Sequence, residues 1–171
     1  MILLFVAASL NAQVKLNNDI KTIQKSKFKR TAADSLYLEI NNFIYGTFYN
    51  PTYWETKTPT FTVLKVDITW DGRVSDMRFS DSADSAFVKA WNDKLQTHDI
   101  KATFGRYAKE KSYEYLSLLI PVSFEPLQPK SENHYANKYL ESYLKFDKRD
   151  FEGEAIMMTP VFVQVLAKGN M

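Results

Sequence analysis

His98 and His134 are the only imidazoles in this 171-residue chain, and cysteine is absent. The two histidines lie far apart, and neither stands in an HxxxH or HxxE spacing, so the pair gives no metal site. Without cysteine there are no disulfides, no thiolate zinc site, no cysteine nucleophile and no lipid attachment through an N-terminal Cys. Asp147, Asp150, Glu152 and Glu154 surround Gly153 and invite a calcium loop. Putting Gly153 at the sixth position of such a loop places Lys148 first and Thr159 last, where carboxylates are required. A polar turn between a helix and a strand accounts for them better. Asp76, Asp81 and Asp84 read as a carboxylate group for acid–base work or, more simply, as capping and bulge residues. No Gly-x-Ser-x-Gly elbow, phosphate-cradling loop or dinucleotide fingerprint occurs among five glycines. The expectation is a binding or assembly module with no catalytic residue, no metal and no cofactor.

Aromatic residues are the remaining chemical signal. Tyr45, Phe48, Tyr49, Tyr53 and Trp54 crowd one junction, and Tyr135, Tyr139 and Tyr143 recur every fourth residue. Helical spacing of rings usually marks a core face. Rings at a helix end and loop can stay exposed and bind sugars or peptides. Tyr45, Tyr49, Tyr53 and Trp54 are therefore a candidate ligand site.

The elements that position these groups follow from hydrophobic periodicity. Val14 to Phe28 is a weak helical stretch with Ile20, Ile23 and Phe28 near one face. Leu36, Ile40, Phe43, Ile44 and Thr47 form the stripe of an amphipathic helix ending between Gly46 and Pro51. Tyr49 to Pro59 reads as a loop. Leu64, Val66, Ile68 and Trp70 alternate with polar residues in a half-buried strand. Asp71-Gly72 then predicts a type I′ hairpin turn, with positive φ at both residues and Arg73 to Phe79 returning. Val74, Met77 and Phe79 change parity, which predicts a bulge near Ser75-Asp76.

Ser80-Asp81-Ser82 offers N-caps for a helix with core residues Phe87, Val88, Trp91 and Leu95, and Asp84 sits near its positive end. Thr97 to Lys111 has no assigned pattern. Leu116, Leu118, Ile120, Val122 and Phe124 then alternate with Tyr115, Ser117, Leu119, Pro121 and Ser123 in the longest strand. Pro121 has no N–H, so this strand lies at an edge or turns its proline away from the ladder. Ser131 caps a further helix displaying Tyr135, Tyr139, Tyr143 and Leu144. Val161, Val163 and Val165 suggest a terminal strand, and no repeat is visible.

Composition sets the class. With 45% hydrophobic and 15% aromatic residues the chain can close a core in one domain, and a net charge of +2 gives no reason to invoke nucleic acid. Lys15, Lys21, Lys25, Lys27, Lys29 and Arg30 face only Asp19 within residues 14–30, a basic arm that reads as a solvated face or a contact for an acidic partner. Met1 to Leu10 is apolar and is followed by Asn11-Ala12-Gln13, the pattern of a secretory signal cleaved after Ala12. It is too short for a membrane span, so no transmembrane anchor is expected after its removal, and the destination is periplasmic or secreted. No basic residue precedes the apolar run, and the other reading is a buried N-terminal strand.

Leu64-Lys65-Val66-Asp67-Ile68-Thr69-Trp70-Asp71-Gly72-Arg73-Val74, then Ser80-Asp81-Ser82, then Ile120-Pro121-Val122-Ser123-Phe124 together resemble the TonB C-terminal domain family over about residues 60–126. The resemblance implies a periplasmic module. In the family's energy transducers an edge strand pairs with a peptide from an outer-membrane receptor. Tyr49-Asn50-Pro51 stands where the family has a Tyr-Pro pair, and neither an anchor nor a proline-rich spacer is written in these residues. The expectation is therefore a stand-alone module, residues 13–171, with that core.

The fold class expected is α+β, a small antiparallel sheet packed against two or more helices. Two functions follow. One is an envelope interaction module that captures an extended segment of an envelope protein, or of a second copy, along the edge of Tyr115 to Phe124. Tyr115, Ser117 and Leu119 would then select the partner. The other is a small-ligand or glycan binder at Tyr45, Tyr49, Tyr53 and Trp54. An open sheet edge favours the first, a closed aromatic pocket the second.

Overall fold

The computed structural model describes residues 31–47, 49–54, 58–127 and 141–166. The apolar leader through Ala12, the weak helix of Val14 to Phe28, His134, and the Ser131-capped helix with Tyr135 and Tyr139 lie outside them.

Helix α1 spans Ala32–Thr47 and buries Leu36, Ile40, Phe43, Ile44 and Thr47, the whole of the expected stripe. A single helical turn, α2 (Pro51–Trp54), lies within the expected loop. Strand β1 (Thr60–Ile68) pairs antiparallel with β2 (Val74–Phe79). Helix α3 (Ser85–Leu95) starts at Asp84, whose carboxylate accepts the N–H groups of Ala86 and Phe87 at 3.0 Å each. Asp84 itself is thus the cap. Ser80 and Ser82 are buried in a hydroxyl chain instead: Thr62 Oγ1 to Ser80 Oγ is 2.8 Å and Ser80 Oγ to Ser82 Oγ is 2.9 Å.

The unassigned stretch is helix α4 (Ile100–Lys111), capped by Asp99 and burying Ile100, Thr103, Phe104, Tyr107 and Ala108. That is an i, i+3, i+4, i+7, i+8 stripe, diluted by Thr103 and Gly105. Strand β3 (Leu116–Leu127) follows. The C-terminal part adds the two-residue strands β4 (Lys145–Phe146) and β5 (Arg149–Asp150), then β6 (Ala155–Met157) and β7 (Val161–Leu166).

The main sheet runs β2-β1-β3-β6, with β7 also paired to β3. The fold is α+β. Its hairpin and β3 are antiparallel as expected, but β6 and β7 join β3 in parallel, so the sheet is mixed. Helices cover one face. Their core is threaded by rings in contact: Tyr53 to Phe124 at 5.4 Å, Phe124 to Phe87 at 5.5 Å, Phe87 to Phe79 at 5.2 Å, Phe79 to Trp91 at 5.0 Å, Trp91 to Phe43 at 4.4 Å. Such pairs add about 0.5–1.5 kcal/mol each beyond the area they bury. The opposite face carries a smaller cluster of Val63, Leu119 and Phe146, flanked by Tyr143 and Phe151, with Phe61 stacked on Tyr143 at 4.9 Å. The described residues from Ala32 onward belong to one compact unit.

Two turns differ from expectation in an informative way. Asp71-Gly72 does not form a type I′ turn. Gly72 has φ of +72°, and Asp71 is not in the left-handed region. Gly72 N donates to Thr69 O at 3.0 Å and Thr69 N to Arg73 O at 2.9 Å, a type I turn closed by one left-handed glycine. The bulge falls at Ser75, skipped between the pairs Ile68–Val74 and Asp67–Asp76. The type I′ geometry occurs elsewhere, between β4 and β5, where Asp147 and Lys148 have φ of 53° and 63°. Asp81 holds that turn: its carboxylate accepts Asp147 N at 3.0 Å and Lys148 N at 2.6 Å.

Candidate functional site

Strand β3 stands inside the sheet, with β1 on one side and β6 and β7 on the other. The edge pairing expected along Tyr115 to Phe124 is therefore ruled out. Ser117 is covered, donating its hydroxyl to Asp67 Oδ1 at 2.6 Å, and Leu119 is buried against Val63 and Phe146. Tyr115 is exposed but precedes the strand with φ of 52°. The three residues do not form a common partner surface.

Pro121 shows how the strand became internal. Val63 O accepts Ser80 N at 2.8 Å, so Val63 points its backbone toward β2, and its partner Pro121 points away from β1. On that far side β6 pairs as far as Leu119 and β7 begins at Val122. The residue with no N–H sits where one ladder hands over to the next. Met158 N donates to Leu119 O at 2.8 Å just before the gap.

The aromatic junction is divided. Tyr53 is fully buried, packed on Phe87 and Phe124, and its hydroxyl donates to Thr58 O. It is a core residue and not a ligand contact. The Trp54 side chain lies outside the described atoms. Tyr45 and Tyr49 are exposed, edge-to-face at 5.4 Å with hydroxyls 2.8 Å apart, and this bond raises the Tyr49 pKa. Beside Tyr49 is a cleft of ≈ 330 Å³ lined by Gly46, Asn50, Asp93 and Lys94 among others. Lys94 crosses the end of α1, donating to Asn42 O at 3.2 Å and Phe43 O at 3.0 Å, with its ammonium 4.8 Å from the Phe43 ring centre. Burial pulls its pKa down. Its donors serve the helix end, so it is a cap for α1 carbonyls.

A second hollow, ≈ 440 Å³, opens on the other face of the sheet between Lys65, Arg78, Phe146 and the β4–β5 turn. Two of its cations are engaged, Lys65 with Asp67 at 2.8 Å and Arg78 with Asp76 at 2.6 Å and with Asp147. Arg149 shares the rim with Asp150 and Glu152. With Lys65, Arg78 and Arg149 set against Asp147, Asp150 and Glu152, the rim carries no net charge to draw an anion or a cation. Among the described residues no group of three His, Cys, Asp or Glu side chains could hold a metal. His98 is exposed and bonded to Thr97 Oγ1 at 2.9 Å.

Among the described residues, no further strand pairs with the two ends of the sheet. Pairs Val122–Val161 and Ser123–Phe162 continue in step to Leu166. Ser123, two residues from Pro121, faces β7, so Val161, Val163 and Val165 turn their backbone groups inward and Phe162 and Gln164 turn theirs outward. Phe162 is 69% exposed. The segment Val-Phe-Val-Gln-Val-Leu has no charge, proline or glycine. Natural edges are usually guarded by one of these devices. This edge was missed in the sequence because the three valines read only as a core face.

Set against known proteins, the chain matches no family model, no curated protein and no solved structure. Among the described residues no helix is long and apolar enough to cross a membrane.

Proposed function

We propose that this chain is an exported envelope module for protein interaction, and that it captures an extended segment of a partner by strand addition at β7. The carrying observation is the outer edge of Val161–Leu166, which no strand covers among the described residues, with Phe162 and Gln164 presenting backbone N–H and C=O outward and the Phe162 ring standing exposed beside them. An added strand bonds to these groups, and its side chains next to Phe162 set the preference for an apolar partner residue. The resemblance of residues 60–126 to TonB C-terminal domains and the leader-like Met1 to Ala12 support the same reading. Binding at β7 takes over the role that β3 cannot fill.

The test is selection of extended ten-residue peptides from a display library on the purified chain. Enriched peptides alternate apolar and polar residues. Gln164→Pro, which removes an outward N–H and leaves the β3 ladder intact, abolishes their binding, while Gln164→Ala retains it. Equal binding by both variants sinks the reading.

A second reading rests on the exposed Tyr45–Tyr49 pair beside its cleft, which suits the face of a sugar ring. Oligosaccharide titration against Tyr49→Ala separates it from strand capture.

A further inference from the structure

We propose that two copies of this chain join along β2 into one continuous antiparallel sheet, related by a two-fold axis at Met77. This inference concerns the opposite end of the sheet from β7 and does not depend on the reading given there. Strand β2 is outermost in the sheet order. Val63 faces β2 through Ser80 N at 2.8 Å, so Lys65 and Asp67 face it too, and their partners Arg78 and Asp76 point backbone groups inward. Met77 and Phe79 therefore point theirs outward. Among the described residues no hydrogen bond outside the ladder uses them.

The side chains then choose both the occupant and the register. With the axis at Met77, that residue faces its own copy and exchanges two N–H···O bonds with it, while Asp76 lies opposite Arg78 of the second chain and Arg78 opposite its Asp76. Unlike charges directly opposed on neighbouring strands attract, and like charges repel. An axis at Asp76 would set two carboxylates face to face, and an axis at Arg78 two guanidinium groups. A slip by one residue would bring the core-facing and outer side chains into opposition. Asp76 and Arg78 are 43% and 41% exposed and already meet at 2.6 Å within one chain, so both are displayed on the face where the crossed pairs would form. The segment Ser75 to Phe79 is self-complementary in charge, the property an isologous two-fold interface requires. The bulge at Ser75 ends the added ladder on each side.

Sedimentation of the full chain across the micromolar range tests this. The wild-type chain shows a concentration-dependent dimer. Arg78→Asp or Asp76→Arg alone weakens it about tenfold or more, because the two-fold makes each substitution act on two pairs. The double variant D76R/R78D restores the crossed pairs and returns the dimer to within about threefold of wild type. The double variant also restores the Asp76–Arg78 contact within one chain, so the melting temperature is followed beside the dimer constant: single variants that weaken the dimer without lowering the melting temperature place the loss at the interface and not in the fold. A wild-type chain that stays monomeric, a dimer indifferent to both single reversals, or a double variant as weak as the singles overturns the proposal.

Discussion

Gly72 holds φ of +72° in the β1–β2 turn, and a side chain there would also meet Lys109 Cγ at 2.9 Å. Every other residue type resists that backbone region, and β-branched ones resist it most. Gly72→Val is expected to destabilise the chain by about 1–2 kcal/mol, read as a lowered melting temperature. An unchanged melting temperature would mean that the turn is not as described. The Asp-Gly pair was legible as a hairpin, yet its turn type was not. Thr69 decides it: its hydroxyl donates to Asp71 Oδ1 at 2.5 Å and accepts Arg73 N at 3.1 Å, drawing Asp71 into the turn interior. That hydroxyl bond, with Arg73 close by, holds the Asp71 carboxyl below the usual carboxylate range. A side-chain bond of this kind has no signature in an Asp-Gly dipeptide.

At the scale of elements, the β4–β5 hairpin survives with two non-glycine residues in left-handed backbone because Asp81 receives both turn N–H groups. Asp81 N also donates to Lys145 O at 2.8 Å, tying the start of α3 to the base of the same hairpin. Hydrogen bonds to a carboxylate contribute about 1.5–3 kcal/mol. Asp81→Ala is expected to free residues 145–150, seen as fast amide exchange there with β1 and β3 still protected. Replacing Asp147-Lys148 by Asn-Gly in the same variant should restore protection, since Gly tolerates positive φ unaided. Periodicity found α1, α3, β1, β3 and the valine strand because apolar side chains recur along each at the spacing of its own element. It missed α4, whose stripe includes Thr103 and closes on Tyr107 and Ala108, and it could not see that Asp81 serves a hairpin more than sixty residues away. The capping role expected near Ser80 fell to Asp84 for a similar reason, the serine hydroxyls being taken by Thr62.

For the whole molecule, the decisive fact is that β3 is central, which no pattern within Tyr115 to Phe124 could reveal. A strand buried on both sides and one standing at an edge have the same alternation, and only the partners Ala155–Met157 and Val161–Leu166 tell them apart. Residues 60–126, on which the TonB-like expectation was placed, thus supply only β2, β1 and β3 of this sheet together with α3 and α4. Its core is completed from outside by Leu36, Ile40, Phe43 and Ile44 of α1 and by Val161, Val163 and Val165 of β7, all seven buried. Each such side chain contributes about 1.5–3 kcal/mol when withdrawn from water. Their joint loss, on the order of 10–20 kcal/mol, meets or exceeds the 5–15 kcal/mol by which whole domains are stable. A fragment of residues 58–127 is therefore expected to remain unfolded or to aggregate through the bared side of β3, with no cooperative melt by circular dichroism and poorly dispersed amide resonances. A fragment of residues 31–166 should melt cooperatively. If the shorter piece folded alone with a sharp transition, α1 and β7 would be additions to a self-sufficient core, and the outer side of β3 would return as the natural place for a partner strand.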